Sequence, residues 1–226
     1  MKKFLLLVGF GLIGSTVFAQ INFGYLQTDS LLRELSKAKH DTGRVLLMAN
    51  ISESYRWSNP DSAMYFGQKA LDLARKINFP RGEASALIST SVVNRELGNL
   101  AKALDLATQA LLITQQHHFH GEEISALIRI GNVYASSKDF NKALAYFHQA
   151  EIKSAGIGNS LYVNISQWLI ASAFEQINKL DSAEYYSEEA QRNLPFDMGA
   201  AFAYNILGDV QIKLKKDSAA LLNYWI

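Results

Sequence analysis

Ala63, Ala103, Ala143 and Ala183 recur at one fixed interval, and Ala219 follows after a slightly shorter one. A fixed long period restricts the fold more than any other feature. Each repeat is one supersecondary unit that cannot bury its apolar face alone, so neighbouring repeats must stack. The surroundings repeat as well. Asp61-Ser62-Ala63, Asp181-Ser182-Ala183 and Asp217-Ser218-Ala219 are the same triplet, and the middle units read Leu100-Ala101-Lys102-Ala103 and Phe140-Asn141-Lys142-Ala143. At a nearly constant distance before each alanine lies a small residue: Ser52, Ser91, Gly131, Ala171 and Gly208. An aromatic follows one turn later in Tyr55, Tyr134 and Phe174, and a second alanine follows the first in Ala70, Ala110, Ala150 and Ala190.

Apolar residues recur at three and four in Leu127, Ile130, Val133-Tyr134 and in Leu144, Phe147, the pattern of helices with one buried face. Small residues in register let two antiparallel helices cross closely, where a larger side chain would hold them apart. The turns carry start signals. Asn59-Pro60 places an Asn cap before a proline at the first helical position. Asp181-x-x-Glu184 has capping-box spacing, and Gly98-Asn99 and Lys138-Asp139 bracket the middle turns. First helices of the pairs are predicted over 42–57, 81–97, 121–137, 159–177 and 198–214, and second helices over 60–77, 100–117, 140–154, 181–193 and 217–226. The period is met by extra helical turns rather than long loops.

The third unit, Leu127-x2-Ile130-Gly131-x2-Tyr134…Ala143-x3-Phe147-x2-Ala150, resembles a tetratricopeptide repeat (TPR). Pro195 stands about where that family's closing proline belongs. Asn94 and Gln211 replace the aromatic in the second and fifth units. The interval from Ala103 to Ala143 is also longer than the family's usual period of about 34 residues. The resemblance implies an all-α, TPR-like right-handed solenoid of about five helical hairpins, with units over 41–80, 81–120, 121–158, 159–197 and 198–226. The last unit ends mid-repeat on Leu221-Leu222-Asn223-Tyr224-Trp225-Ile226, which predicts a truncated gene product or a fragment of a longer protein, because a solenoid end should present a polar face. A leading helix from Asp29 to about Lys39 is expected to cover the other end.

Residues 1–19 read as a secretory signal peptide, cut between Ala19 and Gln20 and followed by a short linker over 20–28. Met1-Lys2-Lys3 is basic, Phe4 to Phe18 is apolar apart from Ser15 and Thr16, and Val17-Phe18-Ala19 supplies the exit. The alternative is an uncleaved anchor, for which the apolar stretch is short of the ~20 residues a span needs. Gly9-Phe10-Gly11-Leu12-Ile13-Gly14 spells GxGxxG inside this segment, but no strand can precede it, so it is not a dinucleotide site. The expected location is periplasmic or secreted.

Chemistry is sparse. No cysteine occurs, which excludes disulfides, thiolate metal sites, a Cys nucleophile and a lipid-modified Cys. Twenty-two Lys and Arg against 21 Asp and Glu make a near-neutral chain, a poor nucleic-acid binder. Three prolines and 49% hydrophobic residues favour a folded chain. Neither a phosphate-binding loop nor a nucleophile elbow is present. His117-His118-Phe119-His120, followed by Glu122-Glu123, lacks metal-ligand spacing and reads as a solvated helix end whose imidazoles cap free carbonyls. Glu122-Glu123 and Glu188-Glu189 read as solvated faces, and most Tyr and Phe as core. The sequons at Asn50 and Asn164 fall inside first helices and are discounted. No catalytic residue, metal or cofactor is expected, and a metal enzyme built on the His cluster is the least favoured reading.

In TPR arrays the first helices line a concave groove. The resemblance assigns to it Asn50, Glu53, Arg95, Arg129, Asn132, Trp168, Ser172, Glu175, Asn205 and Asp209, a mixture of amides, both charge signs and one large aromatic suited to a peptide or protein ligand. The Lys-and-Asn clamp of chaperone-binding TPR domains is not repeated. The chain looks like the extracytoplasmic TPR region of Bacteroidota-type membrane sensor histidine kinases and regulators. That implies a non-catalytic binding module, with scope for self-association, joined to a membrane helix and output domain beyond its C-terminus. The alternative is a free-standing exported scaffold.

Overall fold

The computed structural model describes residues 28–192 and 198–216. The segments expected as signal peptide and as most of the linker, Pro195, Ala219 and the helix expected over 217–226 lie outside the described residues, as do the side chains of 198–203. All regular structure among the described residues is helical. Helix α1 covers 28–37. It is followed by α2 (Asp41–Tyr55), α3 (Pro60–Lys76), α4 (Pro80–Glu96), α5 (Leu100–Gln116), α6 (His120–Ser136), α7 (Phe140–Gly156), α8 (Ser160–Gln176), α9 (Leu180–Arg192) and α10 (Met198–Lys213). The chain divides into two compact units at Asn99 and Leu100, inside the repeat expected over 81–120.

From α3 to α8 every helix has 17 residues. Their starts at Pro60, Pro80, Leu100, His120, Phe140 and Ser160 are evenly spaced. The repeat is therefore two equal halves, each a helix followed by a short turn. The turns share one device. Asn78, Gly98, His118, Lys138, Gly158 and Asn178 all have φ between 52° and 78°. At each, backbone N–H groups fold back on the helix just ended: Lys138 donates to the Ala135 carbonyl and Asp139 to that of Tyr134, both at 2.9 Å. This 5→2 and 6→1 pair satisfies carbonyls that would otherwise be orphaned. The next residue then opens the following helix. Asp139 Oδ1 accepts from the Lys142 amide and Asn159 Oδ1 from the Tyr162 amide. The Asn59 cap works as expected, with Oδ1 accepting from the Ser62 amide at 3.0 Å ahead of Pro60.

Two local expectations fail here. Asp181 is not a cap: α9 starts at Leu180, so Asp181 is its second residue, and Glu184 instead binds Lys216 at 2.7 Å. Imidazoles do not close α5. The backbone N–H groups of His118 and Phe119 do, and His118 is the left-handed residue of the turn.

In the first unit, α2 packs on α3 and α4, and α3 packs on α4. Gly67 of α3 sits where a Cβ would lie 2.6 Å from Thr90 Oγ1 and 2.9 Å from Ser52 Oγ. Ser52 and Ala63 are fully buried. In the second unit, α5 packs on α6, and α6 to α9 pack consecutively. The core there combines Ile124, Leu127, Ala143, Leu144, Phe147, Ala150, Leu169 and Ile170. At Gly131 a Cβ would overlap the Phe147 ring, 2.6 Å from Cδ1 and closer still to Cε1. Ala63, Ala103, Ala143 and Ala183, and their followers Ala70, Ala110, Ala150 and Ala190, are all completely buried, as are Ala171 and nearly so Ser91. The aromatics after the small positions stack on the paired helix: Tyr55 on Phe66, Tyr134 on Tyr146 and Phe174 on Tyr186. Asn94, standing where the second unit lacks its aromatic, is buried and donates to the Thr90 carbonyl.

Candidate binding faces

In the second unit the first helices are enclosed more than their partners. Helix α6 buries eight residues against five in α7, and α8 buries six against three in α9. Helix α8 touches α6 and α10 besides α7 and α9. An enclosed helix leaves a narrow accessible strip. On α8 it carries Trp168, Ser172 and Glu175, spaced four and three apart on one face. All three are half-buried. Trp168 rests against the core formed by Ile124, Phe147 and Leu169.

Arg129 and Asn132 are half-buried on α6, while Asn205 and Asp209 are exposed on α10. Lys213 Nζ on α10 ties this face across helices, donating to Glu175 Oε1 on α8 at 2.7 Å. Lys213 is absent from the set derived from the sequence. A signal for it exists, because Lys213 lies in the last turn of α10, where a cation is favoured.

In the first unit Asn50 is exposed, and Glu53 and Arg95 are half-buried. Arg95 contacts the neighbouring Glu96 carboxylate. Asn50 and Glu53 line a cleft of about 320 Å³ together with Leu31, Ser54 and Arg56. The ten candidate residues thus fall into two sets: Asn50, Glu53 and Arg95 in the first unit, and the others in the second.

Several polar groups depart from the sequence reading. Glu123 is not on a solvated face. It is 5% exposed, with Lys153 Nζ at 2.9 Å and His120 Nδ1 at 3.9 Å. Glu151 of α7 accepts from Gln167 Nε2 of α8 at 3.1 Å and lies 3.3 Å from His148 Nδ1. Burial, and then the Glu151 and Tyr185 charges, push the nearby Tyr186 hydroxyl up from its ordinary pKa. Tyr65 and Tyr185 are exceptions to the aromatics read as core, each more than half exposed. Asn164 is 1% exposed and inaccessible to modification. No group of three His, Cys, Asp or Glu side chains suited to a metal occurs among the described residues.

A comparison with protein-family models finds no match, and a comparison with curated proteins finds none. Solved structures do match. A Rap protein complexed with Competence and Sporulation Factor superposes with a TM-score of 0.73 at 14% identity, over 90% of this chain and 69% of that one. NprR in complex with its cognate peptide NprX gives 0.65 at 15% identity, over 91% and 64%. A signal-transduction ATPase with a tetratricopeptide repeat sensor from Pyrococcus horikoshii gives 0.67 at 19% identity, over 89% of this chain and 34% of that one. The chain has a TPR-like all-α solenoid fold. Among the described residues no helix is long and apolar enough to cross a membrane.

Proposed function

We propose that this protein is a non-catalytic module that binds a peptide or protein segment on the accessible strip of α6, α8 and α10. The carrying observation is the half-buried row Trp168, Ser172 and Glu175 on α8, flanked by Arg129 and Asn132 on α6. A large aromatic supplies apolar area, while amide, hydroxyl and charged groups can fix a backbone in register. Two structures of the same fold, Rap and NprR, are complexes with Competence and Sporulation Factor and with a cognate peptide. The test is selection of binders from a displayed random-peptide library on the purified chain. Trp168→Ala and Asn132→Ala should each weaken the selected peptides at least tenfold, while Ile152→Ala, on the exposed face of α7, should not. Equal binding by all three variants would refute the reading.

The wider setting belongs to the same proposal. The basic and apolar start, with Ala19 before Gln20, directs the chain through the secretory route. Amino-terminal sequencing of material from the periplasm or medium should begin at Gln20. Recovery of Met1 in the cytosol would refute export. Within that compartment the module serves as the sensor part of a two-component membrane protein. A TPR sensor is joined to a signalling ATPase in the Pyrococcus protein. DNA encoding an in-frame membrane helix and output domain downstream of Ile226 supports the sensor reading. A stop codon followed by an unrelated gene supports the exported scaffold instead.

A further inference from the structure

The turn between α5 and α6 carries two imidazoles where the fold asks for none. The corresponding turns place Asn78 and Pro80, Lys138 and Phe140, and Gly158 and Ser160 at the two equivalent positions. Here they are His118 and His120, both exposed. His118 holds φ at 55°, a conformation that suits glycine or asparagine better. On a helix, residues two apart do not face each other. This pair lies across a turn instead. Phe119 has φ −85° and ψ 78°, and the His120 amide donates to the His118 carbonyl at 3.1 Å, an inverse γ-turn that folds the two residues together. Their ring centroids are 6.5 Å apart.

The surroundings sort the ligands. His117 is turned aside, stacked on Phe119 with ring centroids 5.4 Å apart. Glu123 Oε2 lies 3.9 Å from His120 Nδ1. A carboxylate behind an imidazole raises its basicity and leaves Nε2 to face a metal. Lys153 Nζ meets the other Glu123 oxygen at 2.9 Å, so that carboxylate is already engaged and is not itself a ligand. A metal held about 2.0–2.1 Å from each imidazole nitrogen fits between these two rings after a modest rotation of both. Among the described residues no third metal-ligating side chain joins them. One chain therefore supplies half of a tetrahedral set, and imidazole is a ligand that suits zinc.

We propose that His118 and His120 form a half-site for Zn²⁺, closed by the same pair from a second copy of this chain. The experiment titrates the purified chain, free of any histidine tag, with zinc sulfate, following binding by calorimetry and mass by sedimentation velocity. One zinc should bind per two chains and double the sedimenting mass, and EDTA should reverse both. Magnesium sulfate should do neither. His118→Asn and His120→Ser introduce residue types that other turns already hold at these places, Asn78 and Ser160, so the turn is kept. Each should weaken zinc binding at least tenfold and abolish the change in mass, whereas His117→Gln should leave both as they are. No saturable binding, one zinc per chain with no change in mass, or binding that survives His118→Asn and His120→Ser overturns the proposal, as does loss of binding in His117→Gln alone. The assay reads zinc and mass with no peptide present, so its outcome is separate from that of the Trp168 and Asn132 test.

Discussion

Gly131→Ala is the sharpest perturbation of the packing. The added Cβ would overlap Phe147 Cε1 and lie 2.6 and 3.2 Å from Cδ1 and Cζ. Carbon atoms prefer about 3.5–4.0 Å, so the ring or the helix must move by roughly 1 Å. Phe147 cannot easily yield, being 1% exposed and enclosed by the α6–α7–α8 core. Overpacking of this kind costs about 1–3 kcal/mol. Replacing a mid-helix glycine returns about 1 kcal/mol of helix propensity. The net loss is then about 1 kcal/mol, or about 2–4 °C in melting temperature for a chain of this size. Gly121→Ala, in the same helix with nothing within 4 Å of the new Cβ, should be neutral or slightly stabilising. Phe147→Leu should relieve the clash, so that the Gly131→Ala, Phe147→Leu pair is less damaging than the two changes summed, by about 0.5–3 kcal/mol. Thermal and urea melts followed by circular dichroism measure all four variants beside their parent. A Gly131→Ala protein more stable than its parent, with no coupling to Phe147, would refute the close crossing.

Other expectations concern turns, caps and charge. Lys138 holds φ at 62° without being glycine, so Lys138→Gly should stabilise by about 1 kcal/mol in a denaturant titration. Asn59→Ala removes the acceptor for the Ser62 amide and should cost about 1 kcal/mol in the same titration. Hydrogen bonds from the Lys142 side chain and then its backbone amide hold Asp139 below the usual carboxylate pKa. A group depressed in the folded state contributes stability above its unfolded pKa and loses it as pH falls through the folded value. Asp139→Asn should therefore flatten the acid limb of the stability curve below the ordinary carboxylate range. A carboxyl titration of Asp139 by NMR with a midpoint at or above 3.8 would contradict this.

The repeat is legible in the sequence because its packing constraint falls on residue size. Ala63 and Ala143 are completely buried and a Cβ at Gly131 would meet the Phe147 ring, and small size is written in the sequence at a fixed period. The long helices are legible for a similar reason, since so long a period with so few loop formers leaves little room for anything else. The equal halves are hidden. They are set by left-handed turn residues, and His118 and Lys138 hold a conformation in which glycine or asparagine is the usual signal. Asp181 misleads because its triplet imitates a cap, while the turn at Asn178 delivers Lys179 to that place. Glu123 looks solvated because its partner Lys153 is far along the chain on another helix. The α1–α2 cleft depends on where α1 docks and on Arg56 folding back to the Glu53 carbonyl, and neither has a periodic signature. The face carrying Trp168, Ser172 and Glu175 can be read from helical spacing. Its tie to α10 through Lys213 joins helices distant in sequence and leaves no such pattern.

Hydrogen exchange on the complex with a selected peptide tests the central claim most directly. The account expects added protection over 124–132 in α6 and 165–175 in α8, with the exposed faces of α7 and α9 unchanged. Protection confined to α7 and α9, or none on α8, would contradict it.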